Sequence, residues 1–170
     1  MRCIKSIKIA LWLGALLIST HSMAQWRPLS DSGLKDTPRL ELNNLNNKTV
    51  SLENYKDHVV LVNFWATWCT PCVQEIPLLM DFYRQHAANG WQLLGLAIDQ
   101  PTPVKRFIAE MNMTYPVALA GLNGTELMKA LGNERGGLPF TMALAADGRI
   151  LMKKLGQLHA PDLADLAKVS

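Results

Sequence analysis

Between residues 40 and 169 the chain alternates short apolar runs with amphipathic stretches. His58-Val-Val-Leu-Val-Asn-Phe-Trp-Ala66 is almost continuously apolar and rich in β-branched and aromatic residues, the pattern of a central strand covered on both faces. Trp91 to Ile98 has the same character and predicts a second such strand. Between them Val73, Ile76, Leu79, Met80 and Tyr83 recur at helical spacing, which predicts a helix over 71–88 with a kink at Pro77. Thr102 before Pro103 predicts the N-cap of a second helix whose apolar face is Val104, Phe107, Ile108 and Met111.

Tyr115 to Ala120 reads as a short strand, and Thr125 to Leu131 as a short helix closed by Gly132. Thr141 to Ala146 and Ile150 to Leu155, joined through Asp147-Gly148, predict a hairpin. Pro161 and Asp162 open a last helix running through Val169, and Leu40–Leu42 with Thr49–Leu52 flank an Asn-rich turn that predicts an N-terminal hairpin. That order predicts an α/β fold, a central mixed β-sheet flanked by helices, in one domain over residues 40–170. Residues 25–39 hold Pro28, Gly33 and Pro38 without apolar periodicity and read as an extended lead-in.

Residues 1–24 follow a different pattern. Arg2, Lys5 and Lys8 precede the apolar run Ile9–Ile18, after which Ser22 and Ala24 stand three and one before Gln25, the layout of a cleavable export signal. As a helix that run spans only about 15 Å, half of a bilayer core of about 30 Å, so an uncleaved anchor is the weaker reading. Either way the domain is expected outside the cytoplasm, in the periplasm of a bacterium, soluble if the signal is cut and anchored if it is not.

The 170 residues are 49% hydrophobic and 18% charged, which excludes a disordered tail and a disulfide-dense mini-protein. The net charge of +3 would suggest an anionic partner. Three of the 17 Lys and Arg residues, and none of the 14 Asp and Glu, lie in residues 1–24, so the remaining domain is neutral. No nucleic-acid partner is therefore expected. Cys3 leaves with the same segment, so Cys69 and Cys72 are the cysteines of the exported domain.

These two stand where a buried strand gives way to a helix, at the carboxyl edge of the sheet, where open α/β folds bind ligands. A cysteine at a helix start faces unpaired backbone N–H groups and the positive end of the helix dipole, which favour thiolate over thiol. Cys72, one turn on, can close a disulfide with Cys69 without unfolding the domain. As a mere staple the pair would be poorly placed, because so short a loop gains only about 2 kcal/mol against about 3 for fifteen residues. Zinc would need further ligands, and His58, His86 and His159 are scattered through the sequence. Val73 stands where covalent haem would require His. Nothing near Cys69 marks a lone peroxidatic cysteine, so thiol-disulfide exchange is favoured over an antioxidant activity. Trp68 is a candidate contact for a client, and Trp65 a packing residue. Met111 and Met113 read as core filling rather than soft metal ligands.

Val62-Asn-Phe-Trp-Ala-Thr-Trp-Cys-Thr-Pro-Cys-Val-Gln-Glu-Ile-Pro77 resembles the active-site segment of the thioredoxin superfamily, and within it the TlpA/ResA-like exported thiol-disulfide oxidoreductases. Gly137-Leu-Pro-Phe-Thr141 resembles the family's cis-proline loop and Asp147-Gly148-Arg149 its last hairpin. The resemblance covers Leu40 to Val169 and implies a thioredoxin-like fold with an N-terminal β-hairpin and an inserted strand-helix segment. It implies that Cys69 attacks and Cys72 resolves. It further implies that Trp68, Thr70 and Pro71 border the client, and that Pro139 is cis and holds Leu138 for pairing with an extended client chain. Thioredoxins carry a buried Asp where Asn63 stands, while Glu75 matches the acidic residue of TlpA/ResA-like proteins. A carboxylate desolvated against the sheet there would have a raised pKa and could take the Cys72 proton.

The expected activity is reduction of client protein disulfides by a monomer with no cofactor beyond the Cys69–Cys72 disulfide, recharged by a membrane thiol transporter. A net oxidant or isomerase, or a copper-binding or chaperone module using the same cysteines, are the competing readings. Thr70-Pro71 resembles the reducing members more than the oxidising ones.

Overall fold

The computed structural model describes residues 41–121 and 123–168; the export signal and the lead-in read from the sequence lie outside them. Among the described residues seven strands form one sheet in the order β2-β1-β5-β4-β3-β6-β7. At its centre β3 (Val59–Trp65) and β4 (Trp91–Ala97) run parallel, with Asn63 level with Gly95. Their apolar runs are explained by this position, since every residue of β3 after Val59 is buried. β6 (Phe140–Leu144) pairs antiparallel with β3, and β7 (Ile150–Leu155) antiparallel with β6. β5 (Val117–Leu119) extends the parallel part beside β4, and the expected N-terminal hairpin, β1 (Glu41–Asn44) and β2 (Thr49–Ser51), completes the sheet antiparallel to β5.

The two-residue period of β3 sorts the core into two layers. Leu61 and Trp65 pack with Cys72, Ile76 and Leu79 of α1 (Thr70–His86), Val104 of α2 (Pro101–Met111), and Leu163 and Leu166 of α4 (Ala160–Leu166). Val60, Val62 and Phe64 face Met128 of α3 (Gly124–Ala130) on the other side. Met111 and Met113 pack against the first layer. The sheet therefore carries helices on both faces, as the element order predicts.

Several boundaries differ from the sequence expectation, by up to a few residues, and β5, β6 and α3 are among them. α2 starts at Pro101 behind Gln100, not at Thr102, which places Thr102 and Pro103 inside the first turn. Two prolines fit there because the first N–H groups of a helix have no intrahelical acceptor to lose. α1 begins one residue earlier than expected, at Thr70. α4 ends at Leu166, short of the expected Val169, which lies outside the described residues. Pro77 sits inside α1 without breaking the helix. The Asp147-Gly148 turn closes as expected, with Gly148 at φ +83° and its N–H donating to Ala145 O at 2.8 Å.

A buried ion pair fastens α4 to the sheet. Lys154 of β7 donates to Asp162, which also accepts the His159 backbone N–H at 2.7 Å and so caps the helix. This contact fixes the strand-to-helix connection at Leu158, whose N–H enters the site.

Candidate active site

The chain leaves β3 at Trp65 and enters α1 at Thr70 through a loop held at several points. The N–H of Ile98 donates to Trp65 O at 2.8 Å, and Thr67 donates through both its N–H and its hydroxyl to Asp99 Oδ2. Cys69 is the N-cap of α1, and its Sγ accepts the Cys72 N–H at 3.3 Å. No acidic residue stands in the first turn of this 17-residue helix to offset the positive end of its dipole. Cys69 and Cys72 are joined in a disulfide with Cα atoms 5.3 Å apart. Cys69 is 6% exposed and Cys72 fully buried, so an external sulfur has access to Cys69 first.

Glu75 lies one turn beyond Cys72 on the same helix and is fully buried. Residues at that spacing bring their Cβ atoms to about 5–6 Å. Glu75 Oε1 accepts Asn63 Nδ2 at 2.7 Å, and Oε2 accepts the Leu158 N–H at 2.6 Å. Burial is the dominant influence and pushes the carboxyl up to about 7. The hydrogen bonds from Leu158 and Asn63 and the charge of Lys154 pull the other way, while Asp162 adds to the rise. The same carboxylate, after burial, helps push the Tyr115 phenol above its ordinary value.

Asn63 donates at the same time to Thr141 Oγ1 at 3.0 Å. Because Asn63 is level with Gly95 and Thr141, and Thr141 with Lys154, a polar row crosses the sheet under Glu75. Thr141, Lys154 and the Leu158 N–H join the site only through the fold; the one sequence signal among them is the lone hydroxyl of Thr141 in an apolar strand two residues after Pro139.

The peptide bond between Leu138 and Pro139 is cis. Pro139 O accepts the Gly156 N–H at 2.8 Å, and the partly buried Leu138 packs against the core cluster that holds both cysteines. Leu138 itself lies outside every strand pairing. Trp68 is 68% exposed, and Leu155, which lies against Gly137, is 46% exposed. Thr70 is exposed and Pro71 half-buried. Trp65 is enclosed and packs on Phe107 with ring centroids 5.3 Å apart. The three histidines read as scattered remain in separate roles, with His86 on the Phe82 ring at 4.6 Å and His159 at the start of α4. Among the described residues no helix is long and apolar enough to cross a membrane.

A redox-active disulfide at the head of a helix, with a buried carboxyl one turn behind it and a cis-proline loop whose Leu138 packs on the same core cluster, defines a thiol-disulfide oxidoreductase with a thioredoxin-like fold. The sequence matches the Redoxin family over residues 32–169, and the chain belongs to that family. It is 28% identical over 135 residues to the thiol-disulfide oxidoreductase ResA of Bacillus thuringiensis subsp. konkukian, across 79% of this chain and 76% of that one. ResA of Bacillus subtilis is 25% identical over 124 residues, across 72% and 67% of the two chains. The crystal structure of a thioredoxin-family thiol:disulfide interchange protein from Chlorobium tepidum TLS superposes with a TM-score of 0.68 at 27% identity, covering 84% of this chain and 96% of that chain. A DsbF homologue from Corynebacterium diphtheriae shares the fold, with a TM-score of 0.72 at 19% identity over 89% and 96% of the two chains.

Proposed function

We propose that this protein is exported to the periplasm and reduces disulfide bonds of client proteins through Cys69 and Cys72. The Cys69 thiolate attacks a client disulfide, forms a mixed disulfide and expels one client thiolate. Cys72 then loses its proton to Glu75 and attacks Cys69 Sγ, so that the second client thiolate leaves and the Cys69–Cys72 disulfide remains. Two electrons pass from the dithiol to the client, and the exchange needs no added cofactor. The observation that carries this reading is the disulfide at the N-terminus of α1 with a buried carboxyl one turn behind it.

Trp68, Thr70 and Pro71 border the more accessible sulfur and would contact the client. Leu138, held beside Pro139 and free of strand partners, would pair with an extended client segment. Recharging would come from a membrane thiol transporter, as in the TlpA/ResA-like proteins that the site resembles. The test is reduction of insulin by the protein with dithiothreitol as electron source. The expected result is B-chain precipitation well ahead of dithiothreitol alone. Tight copper(I) binding with no acceleration would contradict the proposal and favour a metal-carrying module.

A further inference from the structure

The segment leading into Pro139 is clamped from behind by Asn133. Its side chain is 4% exposed, and Nδ2 donates to Gly137 O at 2.8 Å and lies 3.6 Å from Met128 Sδ. The backbone of Asn133 is anchored on both sides: its N–H donates to Met128 O at 2.9 Å, and its carbonyl accepts the Gly136 N–H at 3.0 Å. Gly136 turns the chain at φ +63°, a left-handed conformation suited to glycine. The amide orientation follows from its partner, because only a donor can face a carbonyl oxygen. Oδ1 has no hydrogen-bond partner among the described residues, so the bond that Nδ2 makes is what an apolar residue of similar volume would lose.

That bond has a geometric consequence on the other side of the peptide. The Gly137–Leu138 bond is trans, so its C=O and the Leu138 N–H point in opposite directions. Drawing Gly137 O inward onto Asn133 turns the Leu138 N–H outward. We infer that Asn133 is a positioning residue for client binding, which aims the Leu138 N–H at a carbonyl of an extended client chain. The inference rests on the proposed pairing of Leu138 with the client and adds the residue that sets its direction. Leu155 lies beside Gly137, its Cδ1 3.1 Å from where a Cβ would stand, so a larger residue than glycine would crowd this point of the segment.

The test uses a client peptide joined through its single cysteine to Cys69 in the Cys72→Ser protein, with amide hydrogen exchange read at Leu138. The expected result is exchange slowed at least tenfold by the peptide, and loss of that slowing when Asn133→Leu is added. Asn133→Asp, which keeps the size and sets an acceptor against Gly137 O, should lose it as well and guards against a folding defect in the leucine variant. In turnover, KM for insulin should rise roughly five- to tenfold, the worth of one misaimed hydrogen bond, with kcat changed much less. Slowing that persists in both variants would overturn the role of Asn133 while leaving the Leu138 pairing intact. No slowing even with Asn133 in place would overturn the pairing and the inference together.

Discussion

Cys72→Ser is expected to stop the reaction at the mixed disulfide, leaving a client covalently attached to Cys69, whereas Cys69→Ser is expected to form no adduct at all. The asymmetry follows from access and from the helix. Cys69 is the N-cap of α1, at its positive end, and retains some exposure, while Cys72 is enclosed and reaches only a sulfur already bound to Cys69. Loss of either cysteine should cut turnover by at least about a thousandfold, as removal of a covalent nucleophile does. Non-reducing electrophoresis with insulin or a disulfide-bonded peptide reads the difference directly. Adducts trapped on Cys72 in the Cys69→Ser protein would reverse the assignment of attacking and resolving thiols.

Glu75→Gln should slow the second step, release of the client from the mixed disulfide, by roughly 100-fold near neutral pH, the ordinary contribution of a positioned base. The glutamine is sterically acceptable. Its oxygen can take the Leu158 N–H, and its NH₂ can face Asn63 once that amide turns its unpartnered Oδ1 towards it, with the Thr141 hydroxyl donating to the same oxygen. In the wild type the step should accelerate as pH rises through about 7, where Glu75 becomes a base, and this limb should vanish in the variant. A pH profile unchanged by Glu75→Gln would remove Glu75 from the mechanism.

The same titration has a stability consequence of defined sign. The folded carboxyl is held at about 7 against an ordinary value of 4.5, so the folded state binds more protons than the unfolded state between those values. Stability of the disulfide form should therefore fall as pH rises from about 4.5 to about 7, by on the order of 3 kcal/mol, and level off above. Denaturant titrations of the wild type and Glu75→Gln should diverge over that window, with the variant nearly flat. Asn63→Asp sharpens the test. It replaces a donor 2.7 Å from Glu75 with a second carboxyl, so that the pair shares one proton and both the kinetic limb and the stability loss move to higher pH.

Much of this architecture is legible in the residue pattern because the strongest signals are local. The apolar run of β3, the helical spacing of α1 and the Asp147-Gly148 turn each mark an element without reference to the rest of the chain. The Cys69–Cys72 spacing at a strand-to-helix junction likewise carries its chemistry on its own. The start of α2 is not legible locally, because Pro101 and Pro103 are equally acceptable in a first helical turn and only the extended Gln100 decides between them. The environment of Glu75 is a different matter. Asn63 and Thr141 are 78 residues apart in sequence, and Glu75 and Leu158 are 83 apart. Their meeting depends on the register of β3 with β6 and on the ion pair that seats α4, neither of which any single segment encodes. Asn133 carries no sequence signal for the same reason, since its contact is with the backbone of Gly137 and belongs to no motif.

The equilibrium reduction potential of the Cys69–Cys72 pair against glutathione bears most directly on reduction as the working direction. A reductant should hold its disulfide tightly, with a potential near about −270 mV or below, in the range of thioredoxin. A value near about −120 mV, the range of a strong oxidant, would contradict it and assign the same site to disulfide formation.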